Sequence, residues 1–253
     1  MRIALAGKGG AGKTTIAATL ARVHARRGAP VVAIDGDSNP NLAAALGIQL
    51  GPSGVAAPLP ASLVARRLRG PALTVPVEEV LDRYGIPGPD RVRLLLMGMP
   101  AHADDGCLCA AHATVSALLG ELGDRPDVMT VVDMEASPEH LSRGTTRHAD
   151  VLLLVAEPYY RSLETIRRLA GLAAELPIPR VAVVVNKVRS AAEAEAVAEF
   201  CARHKLERLA EVAWSDEVVE ADRAGVPLLE AAPDGVTVTA ISQLAWKLSP
   251  TTA

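Results

Sequence analysis

The chain has very few aromatic residues and few cysteines. Aromatics make up 2% of its 253 residues while apolar residues reach 49%, so the core must be built from alanine, valine and leucine. Three cysteines are too few for a disulfide framework, which favours a reduced, cytoplasmic protein. No apolar run reaches the roughly 18 residues of a membrane span, and the chain enters a strand pattern at once, so we expect no signal peptide and no membrane partner. The net charge of −3 gives no electrostatic reason to expect nucleic acid.

What the chain does have is a glycine-rich loop near its start. The loop reads Gly7-Lys8-Gly9-Gly10-Ala11-Gly12-Lys13-Thr14-Thr15. It follows an apolar run and enters a helical pattern, which is the context that a phosphate loop requires. Glycines let backbone N–H groups point at phosphate oxygens, and the helix adds its positive N-terminal end. The motif therefore predicts Lys13 on the β- and γ-phosphates and Thr14 on Mg²⁺.

Strand and helix patterns alternate along the chain. Continuous apolar runs predict strands covered on both faces at 2–6, 31–35, 93–97, 128–133, 151–156, 181–186 and 209–213. Helical patterns lie at 15–27, 114–122, 163–175, 191–203 and 236–248. This order predicts α/β architecture: a doubly wound, mostly parallel sheet with helices on both faces, as a single domain over residues 1–253. Residues 51–60 predict an exposed connection, and arginines 66, 67 and 69 predict a solvated helix face.

Polar side chains lie at or just after the carboxyl ends of three predicted strands. Ligands of doubly wound sheets bind at these ends. Asp37, after the second strand, is placed to orient a water for attack on the γ-phosphate, the alternative being ordinary loop capping. Asp133 ends an apolar strand and matches the Walker-B role of holding Mg²⁺. Asn186 can pair with a purine edge, and because the residues after Lys187 do not give N/T-K-x-D, adenine is favoured over guanine.

The loop K-G-G-x-G-K-T resembles the deviant Walker A motif of the MinD/ParA/nitrogenase iron protein class, within the SIMIBI P-loop NTPases. The resemblance implies an ATPase that forms a homodimer face to face across ATP. Lys8 is then the lysine that reaches the partner's nucleotide, where a cation stabilises charge on the transferring phosphoryl group. It also implies Lys8, Lys13 and Asp37 as catalytic residues, Asp133 near Mg²⁺, and Asn186 on adenine.

A narrower resemblance rests on Cys107-Leu108-Cys109 together with the motifs D-M-E-A, E-H-L, R-G-T and E-P further along. These are similar to the carbon monoxide dehydrogenase accessory (CooC) family, nickel-insertion ATPases whose C-x-C pairs bind metal at the dimer interface. Two chains would supply a Cys₄ set for Zn²⁺ or Ni²⁺. The alternative is a pair of unligated loop thiols. His102 and His112 lie close by in sequence and could serve as further ligands, but the favoured interpretation is solvated loop histidines; Cys201 is expected to be buried packing.

One departure and two competing functions complete the sequence analysis. The segment after Asp133 matches switch II of the family, which commonly reads D-x-E-A-G; here Ser137 replaces the glycine and Pro138 follows, which predicts a stiffer switch and altered turnover. A positioning ATPase of the MinD or ParA kind would bind membrane or DNA, but residues 236–253 hold a single cation, Lys247. A reductase would need cysteines for an Fe–S cluster, and residues 133–148 contain none.

Overall fold

A computed structural model of the chain describes residues 1–50, 57–67, 70–97 and 109–248. The strands are β1 Arg2–Gly7, β2 Val31–Gly36, β3 Val64–Arg67, β4 Gly70–Leu73, β5 Ile86–Pro87, β6 Val92–Leu96, β7 Met129–Met134, β8 Val151–Ala156, β9 Arg180–Val188 and β10 Glu207–Ala213. The helices are α1 Lys13–Arg26, α2 Leu42–Leu46, α3 Val77–Tyr84, α4 Cys109–Glu121, α5 Glu139–Ser142, α6 Tyr160–Ala173, α7 Ala191–Arg203, α8 Asp216–Ala224, α9 Leu228–Ala231 and α10 Val236–Leu248. Within these ranges, no helix has the length and apolar character that crossing a membrane requires.

Eight strands form one sheet in the order β10-β9-β8-β1-β7-β2-β6-β5. All neighbours are parallel except β5, which pairs antiparallel with β6 at the edge. The strand β1 is central, with β7 on one side and β8 on the other. The ends of β1, β2, β7, β8 and β9 therefore meet at one edge of the sheet, the edge at which such folds bind ligands.

The sheet is buried on both faces because successive residues of each strand point to opposite sides. In β1, Ile3 and Leu5 pack on one face and Ala4 and Ala6 on the other. Helices α1, α2, α8, α9 and α10 cover the first face, and α3, α4, α6 and α7 cover the second. The predicted doubly wound α/β fold is confirmed.

Some predicted local features differ from the structure. The hairpin β3–β4 and the edge strand β5 were not predicted, because all three are short and β4 and β5 each contain a proline, which removes a ladder donor. The predicted helix face at arginines 66 and 67 is wrong, since they lie in β3; residue 69 lies outside the described ranges. Leu59 is buried and its N–H donates to the Leu96 carbonyl at 2.9 Å, so the predicted connection is not exposed at this end.

Candidate nucleotide and metal site

The glycine-rich loop joins β1 to α1 at the carboxyl end of the central strand. Gly7, Gly10 and Gly12 have φ angles of 151°, 79° and 96°, a region that residues with a side chain rarely adopt. A side chain at Gly12 would also collide with the amide of Asn186. The helix begins at Lys13, so its N-terminal N–H groups face the loop. The loop and helix together form the curved array of donors that binds phosphate.

Lys13, Thr14 and Asp133 meet at the base of this loop. Burial lowers the pKa of Lys13, while the charge of Asp133 acts in the opposite direction. Burial also raises the pKa of Asp133 to about 7, partly offset by the Thr14 hydroxyl, which donates to its Oδ2 at 2.6 Å. The second oxygen, Oδ1 of Asp133, is buried and has no hydrogen-bond partner within the described ranges. An unpartnered carboxylate oxygen beside a hydroxyl fits Mg²⁺, which takes oxygen ligands.

Two further aspartates come from β2 and the loop after it. Asp35 is fully buried and lies opposite Asp133 in the register of β2 and β7. Its two oxygens accept from the N–H groups of Asp37 at 3.2 Å and Leu42 at 2.8 Å, and burial raises its pKa to about 6. Asp37 is half-buried, and its charge contributes to the raised pKa of Asp133. Asp37 also caps the Asn39 N–H at 2.8 Å, so the loop-capping contact exists as well.

A cavity of about 400 Å³ opens beside the loop, along β9 and the end of β10. Asn186 is buried in its wall and donates from Nδ2 to the Ala11 carbonyl at 2.7 Å. This bond directs the amide and leaves Oδ1 as the acceptor for a base amino group. Trp214 forms another wall, and the Arg189 guanidinium lies 4.0 Å from the centre of its ring. The volume and the aromatic wall suit a bound nucleotide base.

Lys8 is held by groups of its own chain. Its Nζ lies 5.7 Å from the centroid of the Tyr159 ring, within cation–π range. The Tyr159 hydroxyl donates to Glu157 at 2.7 Å, and the other oxygen of Glu157 pairs with Lys187 Nζ at 2.9 Å. Lys187 Nζ also donates to the Gly10 carbonyl at 2.6 Å, which returns this chain of contacts to the loop.

Cys109 is the first residue of α4 and contacts the segment after β7. Arg143 Nη1 lies 2.9 Å from the Cys109 sulfur, and Arg143 Nε donates to Glu139 at 3.1 Å. Cys109 is disulfide-bonded, which differs from the reduced state expected from the sequence, so metal binding through this sulfur requires prior reduction. Cys107 lies outside the described ranges. In the part of the chain that the structure describes, no group of three or more His, Cys, Asp or Glu residues is arranged to hold a metal.

Two buried histidines lie behind this contact. The prediction of a solvated loop histidine at His112 is wrong, because α4 begins at Cys109 and turns His112 inward, to 2% exposure. Its ring packs edge-on against His140, with centroids 4.4 Å apart. Burial lowers the pKa of both, that of His140 to about 4, so both are neutral at pH 7. Cys201 is a buried free thiol in α7, as predicted, and His102 lies outside the described ranges.

The sequence departure at Ser137 and Pro138 forms the start of α5. Ser137 Oγ accepts from the Glu139 N–H at 3.2 Å, and the Pro138 carbonyl accepts from Leu141 and Ser142 at 3.1 and 2.9 Å. A proline lacks only its own N–H, and the start of a helix leaves that group without an intrahelical partner. The two residues therefore fit this helix start; the effect on turnover stays a prediction.

A family model described as the CobQ/CobB/MinD/ParA nucleotide binding domain matches residues 3–228. The chain belongs to this family. It is a P-loop ATPase, and ATP with Mg²⁺ fits its nucleotide site. It is 34% identical to the carbon monoxide dehydrogenase accessory protein CooC of Rhodospirillum rubrum, over 92% of this chain and 91% of that protein. An uncharacterized ATP-binding protein of Methanocaldococcus jannaschii is also 34% identical, over 90% and 91%. The septum site-determining protein MinD of Pyrococcus horikoshii, solved with Mg-ADP, superposes with a TM-score of 0.71 at 18% identity, covering 98% of this chain and 96% of that one.

In this ATPase the predicted nucleotide residues come together at one sheet edge, whereas the C-x-C pair is described only at Cys109. The sequence analysis did not identify Glu157, Tyr159, Lys187 or Trp214 as site residues. A signal was available for the aromatics: in a chain with three tyrosines and two tryptophans, Tyr159 and Trp214 each follow closely on the end of a strand, β8 and β10. Glu157 belongs to the E-P motif and Lys187 follows Asn186, but the pairing of these two residues was not predicted, because it depends on β8 lying beside β9.

Proposed function

We propose that this ATPase is a cytoplasmic, homodimeric metallochaperone that delivers nickel to carbon monoxide dehydrogenase, acting as a single domain over residues 1–253. The contact between Cys109 and Arg143 carries the proposal, because Arg143 belongs to the segment that follows Asp133 at the nucleotide site. The similarity to an accessory protein of that enzyme supports the client. The equally similar Methanocaldococcus protein has no client in its name, so similarity alone does not select one.

At the nucleotide end, ATP lies along the loop with its base in the 400 Å³ cavity against Asn186. Lys13 holds the β- and γ-phosphates, and Thr14 and Asp133 supply the oxygen ligands for Mg²⁺. When bound, Mg²⁺ neutralises charge on the phosphate oxygens. Asp37 orients the attacking water, and Lys8 leaves the ring of Tyr159 to reach the partner's nucleotide. Hydrolysis then depends on the dimer.

At the metal end, nickel is cargo. Cys107 and Cys109 from two chains give four thiolates, enough for a closed site for Ni²⁺ or Zn²⁺ that one chain cannot complete. Rearrangement of the segment after Asp133 reaches Cys109 through Arg143, so the nucleotide state and the cysteine pair are coupled. Because the ligands must be reduced and deprotonated, metal binding depends on reductant and on pH.

Metal analysis of the reduced protein with MgATP and Ni²⁺ or Zn²⁺ tests the proposal. We expect the wild type to retain about one ion per two chains, the stoichiometry of a shared Cys₄ site, and the double variant Cys107→Ser plus Cys109→Ser to retain none. Cys201→Ser is the matched control, since it removes a thiol that is buried in α7, away from the site. Equal metal content in the double variant and the wild type would overturn the metal-delivery function.

The alternative of a membrane- or DNA-positioning ATPase finds little support in the described part of the carboxyl-terminal helix. In α10, Leu244 and Leu248 are buried, and Lys247 donates to the Leu209 carbonyl at 2.8 Å instead of extending from a basic face. ATP-dependent cosedimentation with anionic vesicles or with DNA tests this alternative. We expect neither, and a clear signal in both the wild type and the double cysteine variant would favour positioning over metal delivery.

A further inference from the structure

His140 connects two segments that meet at the phosphate end of the site. It lies in α5, after β7, and its side chain is fully buried. Its Nε2 lies 2.7 Å from the carbonyl oxygen of Gly36, the last residue of the neighbouring strand β2. Since a carbonyl can only accept, Nε2 carries the proton and donates. The imidazole is therefore a directed link from α5 to the end of β2.

The link acts on the peptide unit that precedes Asp37. The carbonyl of Gly36 and the N–H of Asp37 belong to the same planar peptide. His140 holds the carbonyl at 2.7 Å, and the buried carboxylate of Asp35 accepts the N–H at 3.2 Å. With both ends of the peptide held, the direction in which the chain enters Asp37 is fixed.

Glycine at position 36 permits the close approach of the His140 ring to the backbone of β2. A Cβ at Gly36 would lie 3.1 Å from the imidazole Cε1 of His140 and 3.1 Å from the Asp133 carbonyl, tighter than ordinary packing. The other side of the His140 ring packs on His112 of α4, whose Nδ1 lies 3.3 Å from the Thr145 hydroxyl. His140 is thus held from behind while it holds the peptide in front.

We propose that His140 is a positioning residue for ATP hydrolysis: it sets the Gly36–Asp37 peptide so that the Asp37 carboxylate faces the attacking water. The inference rests on the role proposed above for Asp37. It adds a residue that touches neither nucleotide nor water and acts through the backbone. It also predicts that a change in α5 moves Asp37.

Steady-state ATPase assays of the full chain with saturating MgATP test this role through two substitutions. His140→Leu removes the donor, and we expect kcat to fall by roughly 10- to 100-fold, since misplacing a catalytic group by about 1 Å costs on that order. KM for ATP and Kd for ADP should stay within about twofold, because the phosphate loop is untouched. His140→Gln keeps an N–H donor of similar reach and should recover kcat to within about threefold of the wild type.

A double-mutant cycle with Asp37→Asn separates positioning from general damage. If His140 acts through Asp37, His140→Leu should lower kcat less than about twofold in the Asp37→Asn background. His24→Leu is the matched control: His24 is also buried, its pKa is also lowered to about 4, and it lies in the last turn of α1. We expect this control to keep kcat within about twofold.

Each outcome decides the question. The positioning role is overturned if the fold-reductions in kcat caused by His140→Leu and Asp37→Asn multiply in the double variant. It is also overturned if the kcat of His140→Leu lies within twofold of the wild type. If Asp37→Asn itself leaves kcat unchanged, the proposed role of Asp37 fails and the inference fails with it. Should His140→Leu not fold, His140→Asn against His140→Gln replaces it, since the shorter amide cannot reach Gly36; equal kcat values for that pair overturn the inference.

Discussion

Replacing Asp133 with asparagine should stabilise the nucleotide-free protein while abolishing ATP hydrolysis. The carboxyl is 3% exposed, and its Oδ1 has no hydrogen-bond partner within the described ranges. Burial raises its pKa from 3.8 to about 7. At about 1.36 kcal/mol per pKa unit, this corresponds to about 4 kcal/mol of penalty on the charged folded state. Asparagine carries no charge, but its amide N–H group is itself buried where Oδ1 of Asp133 has no partner among the described residues, which costs about 1–3 kcal/mol, so we expect a net gain of about 2 kcal/mol.

The gain should depend on pH in a defined direction. A carboxyl whose folded pKa exceeds its unfolded value destabilises the folded state fully above about pH 7, and the penalty disappears as the pH falls toward 4. The advantage of Asp133→Asn should therefore fall from about 2 kcal/mol at pH 8 to less than about 1 kcal/mol at pH 5. Burial lowers the pKa values of His24 and His140 to about 4, so these two histidines also destabilise the folded state as the pH falls from 8 to 5. They are present in both proteins, so the difference between the proteins isolates Asp133.

Urea unfolding of the wild type and Asp133→Asn in EDTA, at pH 8 and at pH 5, measures this difference in stability. The ATPase activity of Asp133→Asn should fall on the order of 100-fold or more below that of the wild type. Asp35→Asn is the contrasting control. It replaces another buried aspartate whose pKa is raised, but both oxygens of Asp35 accept backbone N–H groups. An amide there would place one N–H against another and should destabilise by about 1–3 kcal/mol. An Asp133→Asn protein no more stable than the wild type, or a gain equal at both pH values, would refute the reasoning.

Three further predictions follow from other contacts. Arg22 is 3% exposed and pairs at 2.7 Å with each of Asp90 and Glu230, whose side chains are 20% and 45% exposed, so Arg22→Ala should destabilise by about 1–3 kcal/mol in urea unfolding; an unchanged stability would show that these pairs contribute little. Asn186→Ala should raise KM for ATP by about tenfold, because the Ala11 carbonyl and the base each lose a hydrogen bond; an unchanged KM would remove Asn186 from the site. Trp214 lines the cavity and Trp246 lies on the exposed side of α10, so Trp214→Phe should abolish the fluorescence change on ADP binding and Trp246→Phe should retain it; the reverse pattern would place the base elsewhere.

The nucleotide end was predictable from the sequence because its chemistry is local. Residues 7–15 are contiguous, and the glycines there are needed for a backbone shape that depends little on the rest of the fold. Asp133 and Asn186 lie in continuous apolar strands, and parallel strands bring their carboxyl ends to one edge. A motif and a strand pattern therefore located most of the site.

The region around Cys109 and the segment after Asp133 was less predictable, because its structure depends on packing between segments that are distant in sequence. The C-x-C sequence indicated a loop, but α4 packs against the unpredicted strand β4 and begins at Cys109. That start buries His112 and places Cys109 at Arg143, 34 residues away in sequence. The contact between His140 and Gly36 spans 104 residues, and it depends on β2 and β7 being neighbours in the sheet.

The central claim is that one dimer completes both the nucleotide site and the metal site. Native mass spectrometry of the reduced full chain with MgATP and limiting Ni²⁺ tests it most directly, with ADP and Lys8→Ala as the comparisons. We predict dimers that carry ATP and about one metal ion with the wild type, and metal-free monomers with ADP or with Lys8→Ala. Metal bound to monomers whatever the nucleotide, or ATP dimers that never take up metal, would contradict the account.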